Sequence, residues 1–224
     1  MLSGKGVITT WNGITDKARI DFYQWHLHEH MPERINISGF LRGRRYRAAD
    51  EASFPQYFTL YEVDEFDVLK GDEYTTRLNN PTPWTRRVTA HFRDTSRGLG
   101  RVLASHGPGP GAALITVRFA PANTGAETEE ALSALAASLT RLPLVSGAHI
   151  CKADTEATQI KTAESIGRTD YARPPTWVLL IEGCMLEFLE AALEAALESR
   201  LVDQPQVGRY LLEYTRLKTD ATAG

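Results

Sequence analysis

The run His106-Gly107-Pro108-Gly109-Pro110-Gly111 lies close to the middle of a 224-residue chain, and the order of strand and helix signals before it is repeated after it. Alternating Pro and Gly deny the backbone both a helical and a sheet ladder, so the run reads as a connector. Short β-branched segments open each half, Val7 to Trp11 and Ala113 to Phe119, with Ile8-Thr9 aligned to Ile115-Thr116. Helical spacing follows in both. Ile20, Tyr23, Leu27 and Met31 recur at threes and fours between Thr15 and Arg34, and Leu132, Leu135, Leu139 and Leu142 between Glu127 and Arg141. A second strand opens at Ser38-Gly39 and at Ser146-Gly147, and a third ends in Leu60-Tyr61-Glu62 and Leu180-Ile181-Glu182. Second helices carry Phe66, Leu69, Tyr74 and Leu78 in one half, and Leu186, Leu189, Leu193 and Leu197 in the other. Last strands are expected around Ala90 to Arg97 and Arg209 to Arg216.

Each half, residues 1–105 and 112–220, therefore reads β-α-β-β-α-β, the ferredoxin-like split unit. A four-stranded sheet with both helices on one face leaves its other face to be buried. The equivalent sheet of the other half is the obvious cover. The expected fold is α+β: two tandem ferredoxin-like units that form, within one chain, the barrel usually made by a dimer.

Composition narrows the function classes. A formal charge of −3 lacks the basic excess of a general nucleic-acid binder. Arginines do cluster at Arg42, Arg44, Arg45 and Arg47, and at Arg86, Arg87, Arg93, Arg97 and Arg101; such clusters are more often solvated faces than anion sites. The two cysteines, Cys151 and Cys184, lack metal-type spacing and read as buried thiols of a reducing compartment. The N-terminus has no apolar signal region and no stretch approaches a membrane span, so a cytoplasmic protein is expected.

Chemistry is concentrated in Trp25-His26-Leu27-His28-Glu29-His30-Met31-Pro32-Glu33-Arg34, which holds three of the six histidines. Imidazole titrates nearest neutrality, which suits proton transfer and metal binding alike. On a helix His26 and His30 share a face while His28 points elsewhere. A histidine beside a carboxylate such as Glu29 or Glu33 is held in one tautomer and made more basic, as a general base requires. A polar helix end facing water is the plainer alternative. A metal held by His26, His30 and a glutamate is a third, weakened because Pro32 breaks the His-Glu-x-x-His pattern.

Phe22-Tyr23, Trp25, Glu29-His30-Met31-Pro32 and the strand opening Ser38-Gly39-Phe40 together resemble the EthD-like branch of the dimeric α+β barrel superfamily. Asn79-Asn80-Pro81-Thr82-Pro83-Trp84-Thr85 looks like a further segment of these proteins. The resemblance covers the first half; the second matches in element order alone. It implies a small-molecule pocket inside the barrel, often without an organic cofactor. Relatives act on phenols, quinones or polyketides as monooxygenases, isomerases, cyclases or dehydratases, and haem enzymes occur in the wider superfamily. The motif match places the family histidine at His30.

The expected catalytic residues are thus His30, His26 and Glu29. Trp25, Arg44, Tyr46, Tyr61, Trp84 and His91 are the candidates for substrate binding; those on or beside the sheet qualify because alternate strand residues line a barrel, with plain core packing as the alternative for each. Inward arginines of the Arg42/Arg44 or Arg45/Arg47 face would suit a carboxylate or phenolate. His91 is expected in the fourth strand, where it could face His30 across the barrel or be a satisfied core histidine. His149 is the sole second-half candidate for haem ligation. The long polar segment Thr155 to Pro175 reads as a lid or a surface insertion. The expected function is an enzyme of small-molecule metabolism that uses no organic cofactor and no metal; a non-catalytic binding or stress-associated protein and a haem enzyme are the competitors. A homodimer through outer helices is expected from the stripe of Ala191, Ala192, Ala195 and Ala196 beside Leu189, Leu193 and Leu197.

Overall fold

The computed structural model describes residues 1–121, 123–166 and 172–219. Eight antiparallel strands close into one barrel: β1 (Gly6–Ile14), β2 (Phe40–Ala48), β3 (Tyr57–Val63), β4 (Phe92–His106), β5 (Ala113–Ala120), β6 (Val145–Ala153), β7 (Trp177–Gly183) and β8 (Asp203–Leu217). Around the barrel they follow the order β1-β3-β2-β8-β5-β7-β6-β4. Within the first half this is the ferredoxin-like order β4-β1-β3-β2, and β8-β5-β7-β6 repeats it in the second. The matched registers Ile8↔Tyr61 and Ile115↔Ile181 fix which residues correspond.

The fourth strand of each half is longer than its sequence pattern suggested, for a topological reason. β4 pairs with β1 at one end and with β6 of the other half at the other; β8 pairs with β5 and, beyond it, with β2. These two seams close the barrel, and no alternation within one half announces them.

Helices cover the outside of both sheets. In the first half α1 (Arg19–Trp25), a π-helical turn (His26–His30) and α2 (Met31–Asn36) run on from one another. α3 (Asp72–Asn79) and α4 (Pro83–Thr89) complete that layer. The second half contributes α5 (Ala126–Leu139) and α8 (Glu190–Glu198), with the short α6 (Thr155–Gln159) and α7 (Ala163–Ile166) between β6 and β7. Ser38-Gly39 opens β2 as expected, with Gly39 at φ +81°, where a glycine avoids the Cβ clash. Among the described residues no helix is long and apolar enough to cross a membrane.

The π turn has a local cause. Pro32 has no N–H to donate to the His28 carbonyl, and its ring crowds that carbonyl. The ladder widens by one residue, and the Met31 N–H bonds to the His26 carbonyl instead. The expected apolar stripe is overturned here. Ile20 is 72% exposed and Leu27 36%, while the face turned to the sheet carries Phe22, Trp25, His26, His30, Met31 and Arg34.

The barrel interior is packed, which corrects the expectation of a pocket inside it. Trp11, Tyr46, Phe58, Leu60, Leu114, Val178, Leu180 and Tyr210 form one buried cluster drawn from both halves. Large aromatics on alternate strand positions are enough to fill eight strands. The alanine stripe of α8 is divided: Ala192, Leu193 and Ala196 are buried with Leu189 in the second-half core, while Ala191 and Leu197 are exposed. Of the two thiols Cys151 is buried, but Cys184 is exposed.

Candidate active site

A small cavity of about 40 Å³ lies between the outer face of the first-half sheet and its helices. Its floor is Ile8, Thr10 and Asn12 of β1, Thr59 and Tyr61 of β3, and Arg97 of β4. The corresponding positions in the second half are Ile115, Val117, Phe119, Leu179 and Ile181, all buried in hydrocarbon packed against α5 and α8. One helix–sheet interface is polar and hollow; the other is apolar and filled.

The helical wall carries the histidines. His26 and His30 are both buried and their rings stack, with centroids 5.6 Å apart and planes 24° apart. Phe22 stacks on the outer side of His26 at 5.5 Å, and Trp25 lies 4.2 Å from the His30 ring. His28 is exposed, as the helical geometry requires. Arg45 Nη1 lies 3.5 Å from His26 Nδ1, and because a guanidinium only donates, Nδ1 accepts and the ring proton sits on Nε2. Burial, with Arg45 and Arg34 nearby, pushes the His26 pKa well below the usual histidine range, so His26 is neutral at pH 7. Burial likewise raises the Tyr61 phenol.

Two further cations line the cavity. Arg34 is buried and ion-paired with Glu164 of α7. Arg97 donates to the hydroxyl of Tyr74 on α3. Beyond Arg97, Leu78 and Glu164 the space continues into an open groove of about 400 Å³, whose far wall is built from residues 158–165, Ala172 and Pro174. The segment expected as a lid or insertion thus supplies one side of the entrance; its residues 167–171 lie outside the described ones.

The structure gathers His26, His30, Trp25 and Tyr61 at the cavity and places the other expected residues elsewhere. Glu29 accepts from Thr82 Oγ1 at 2.5 Å and Thr85 Oγ1 at 3.2 Å; Thr85 Oγ1 in turn accepts from Trp25 Nε1 at 3.1 Å. Glu29 therefore braces the indole beside His30 through Thr85. Glu33, the other candidate carboxylate, pairs with Arg77. Trp84 donates to Asp21 on the outer side of the helices. His91 precedes β4 and bonds Thr15 Oγ1 at 3.2 Å, so it does not face His30.

Arg44 and Tyr46 belong to the barrel interior. Arg44 binds Glu182 through two N–H groups at 2.8 and 3.0 Å and Glu62 at 3.1 Å, so its charge is already matched by two buried carboxylates. Arg42 adds a two-pronged contact to Glu62, both bonds at 2.8 Å. Tyr46 packs on Phe58 above Arg44. His149, the expected haem candidate, occupies the second-half position equivalent to Arg44. Its Nδ1 lies 2.9 Å from Ser105 Oγ and its Nε2 3.3 Å from Glu182 Oε1. Gly147 allows this, because a Cβ there would come within 2.8 Å of His149 Nε2.

Arg34, Tyr74, Arg97 and Glu164 were not singled out as site residues. Arg34 carried a usable signal, being four residues after His30 on the same helical face. Glu164 carried none, since it comes from the other half of the chain.

Barrel and site together define a single-chain member of the dimeric α+β barrel fold, with one helix–sheet cavity kept open. Solved structures bear out the fold. An anthrone oxidase-like protein superposes with a TM-score of 0.61 at 12% identity, covering 95% of this chain and 92% of its own. A presumptive monooxygenase of Lactobacillus acidophilus NCFM gives 0.60 at 7% identity, with 96% and 97% covered. A chlorite dismutase variant from Candidatus Nitrospira defluvii gives 0.51 at 11%, with 100% and 96% covered. No protein-family model matches the sequence, and no curated protein matches it.

Proposed function

We propose that the chain is a small-molecule enzyme of the EthD-like type, in which His30 moves a proton on a phenolic or quinone-like substrate. The observation that carries this reading is the buried imidazole pair facing a polar cavity which the second half, of the same strand order, has filled with hydrocarbon. In this reading residues 1–105 hold the site and residues 112–220 act as scaffold. Phe22, Trp25 and Phe92 offer flat apolar contact to an aromatic ring, as ligand sites commonly do. His26, neutral and stacked on His30, sets the position of the second ring. Removing a phenolic or carbon-bound proton leaves an electron-rich anion, from which isomerisation, elimination or reaction with dioxygen can each proceed. The names of the anthrone oxidase-like and monooxygenase neighbours favour dioxygen. The reading requires no organic cofactor.

The test is aerobic turnover of anthrones and hydroxynaphthalenes, followed by oxygen uptake and product mass. His30→Ala is expected to lower turnover by roughly 10²–10⁴-fold, the usual worth of a general base. Undiminished turnover in that variant would assign the chemistry to another group, and saturable binding without turnover in the wild type would make the protein a carrier.

A further inference from the structure

We propose that the open groove beside the cavity binds an anionic group, foremost a carboxylate, on the non-reacting part of the substrate, with Arg97 as the anchor and Lys161 as a second cation. The inference deepens the proposed function and rests on it for the word substrate, though not for the binding itself.

Arg97 stands in the wall common to the inner cavity and the groove. Its position is fixed by β4, where it pairs with Thr10 of the cavity floor. Most cations around it are matched by carboxylates: Arg34 by Glu164, Arg77 by Glu33, Lys70 by Asp154 and Lys152 by Glu129. Arg97 donates to the Tyr74 hydroxyl, and among the described residues no carboxylate is paired with it. Lys161 lines the same groove, is exposed, and has no acidic partner among the described residues. Glu164 is the one carboxylate among the lining residues, and Arg34 already neutralises it. Among the described residues the groove thus presents two positive charges without a carboxylate partner, next to the apolar surfaces of Leu78, Ile160 and Pro174.

A guanidinium that is half-buried and only partly hydrogen-bonded keeps donors free for a planar anion, which it grips through charge-assisted bonds. The dimensions agree. The inner cavity of about 40 Å³ admits only the reacting edge of a ring, while the groove of about 400 Å³ has room for the rest. A ring entering past Leu78 would bring its outer substituent alongside Arg97. The substrate class so defined is a hydroxylated aromatic acid with its hydroxyl directed to His30.

Calorimetric titration with 2-naphthol and with 6-hydroxy-2-naphthoate, whose hydroxyl and carboxylate lie at opposite ends of the ring system, tests this without needing turnover. The acid is expected to bind the wild type at least tenfold more tightly than the neutral naphthol. Arg97→Gln should weaken the acid by about 10- to 100-fold, the worth of a hydrogen bond to a charged group, and leave 2-naphthol unchanged. Arg97→Lys should restore part of the loss. Lys161→Gln, an exposed and structurally harmless change, should weaken the acid by a few-fold, and less at high salt. Equal affinity for the two naphthalenes, no saturable binding of either, or parallel losses in Arg97→Gln would each overturn the proposal. Acid binding that depends on Arg97 in a protein whose His30→Ala variant keeps full turnover would sink the catalytic reading alone. Loss of turnover in His30→Ala with acid binding indifferent to Arg97 would sink this one alone.

Discussion

Arg45 holds His26 in one tautomer from the adjoining strand, and the consequences reach beyond the site. The His26 pKa is depressed in the folded protein, chiefly by burial. Above about pH 6.5 the ring is neutral in both folded and unfolded chains and contributes no pH dependence. As pH falls below that value the unfolded chain takes up a proton that the folded one refuses. Stability then falls by up to about 1.4 kcal/mol per pH unit until the folded pKa is reached. The carboxylates act lower. Arg44, Arg42 and His149 hold Glu62 and Glu182 below the usual range, so their contribution is complete above about pH 4.5 and is lost as pH falls toward their folded values. Urea unfolding between pH 7.5 and 5 should therefore show a slope that His26→Gln removes, while the steeper loss below pH 4.5 remains in that variant. Identical slopes in wild type and variant would mean that His26 is not held neutral. At this scale the sequence was most legible where chemistry and helical spacing coincide, as in the opposite fates of His28 and His30. It was silent on Arg97, because a cation with no carboxylate partner among the described residues is recognised only from the folded arrangement of its neighbours.

Among the elements, the helix from α1 to α2 departs most from its sequence pattern. Ile20 and Leu27 fit an apolar stripe on paper, yet the helix turns its histidine and aromatic face to the sheet. Periodicity counts hydrocarbon, and here the buried face is partly polar because the sheet beneath offers Thr10, Asn12, Thr59 and Tyr61. In the second half, where the sheet is apolar, the stripe of Leu132 and Leu139 is buried as read. The π turn itself leaves little trace beyond Pro32. Pro32→Ala returns an N–H to the ladder and permits ordinary helical winding, so thermal stability should hold or rise. Turnover should fall at least tenfold as His26 and His30 rotate relative to the sheet, and the histidine ring resonances in an NMR spectrum should shift. Unchanged turnover and unchanged resonances would show that the wide turn does not set the site.

At the level of the whole molecule, β-α-β-β-α-β order, connector and strand starts were all readable, because each depends on local alternation and turn chemistry. The seams were not, nor was the location of the cavity. Both depend on how two sheets meet, and the filling of the barrel by Trp11, Tyr46, Phe58 and Tyr210 follows from eight strands acting together. The ion network at one end of that interior joins the halves directly, since Arg44 of β2 reaches Glu182 of β7. Removing one partner of a buried pair strands the other charge, so Glu182→Gln should destabilise the protein by about 3–5 kcal/mol in equilibrium unfolding. A loss under about 1 kcal/mol would show that water reaches Arg44.

That crossing contact also governs which halves can associate. At this end of the barrel the first half supplies Arg42, Arg44 and Glu62, and the second supplies Glu182 beside His149. A barrel of two first halves would confine four arginines with two glutamates, whereas two second halves would confine two glutamates with no arginine to meet them. In each like-with-like assembly the buried arginines and glutamates are unequal in number, and only the unlike pair matches them. Mixing separately produced halves should accordingly favour the mixed barrel over either symmetric one.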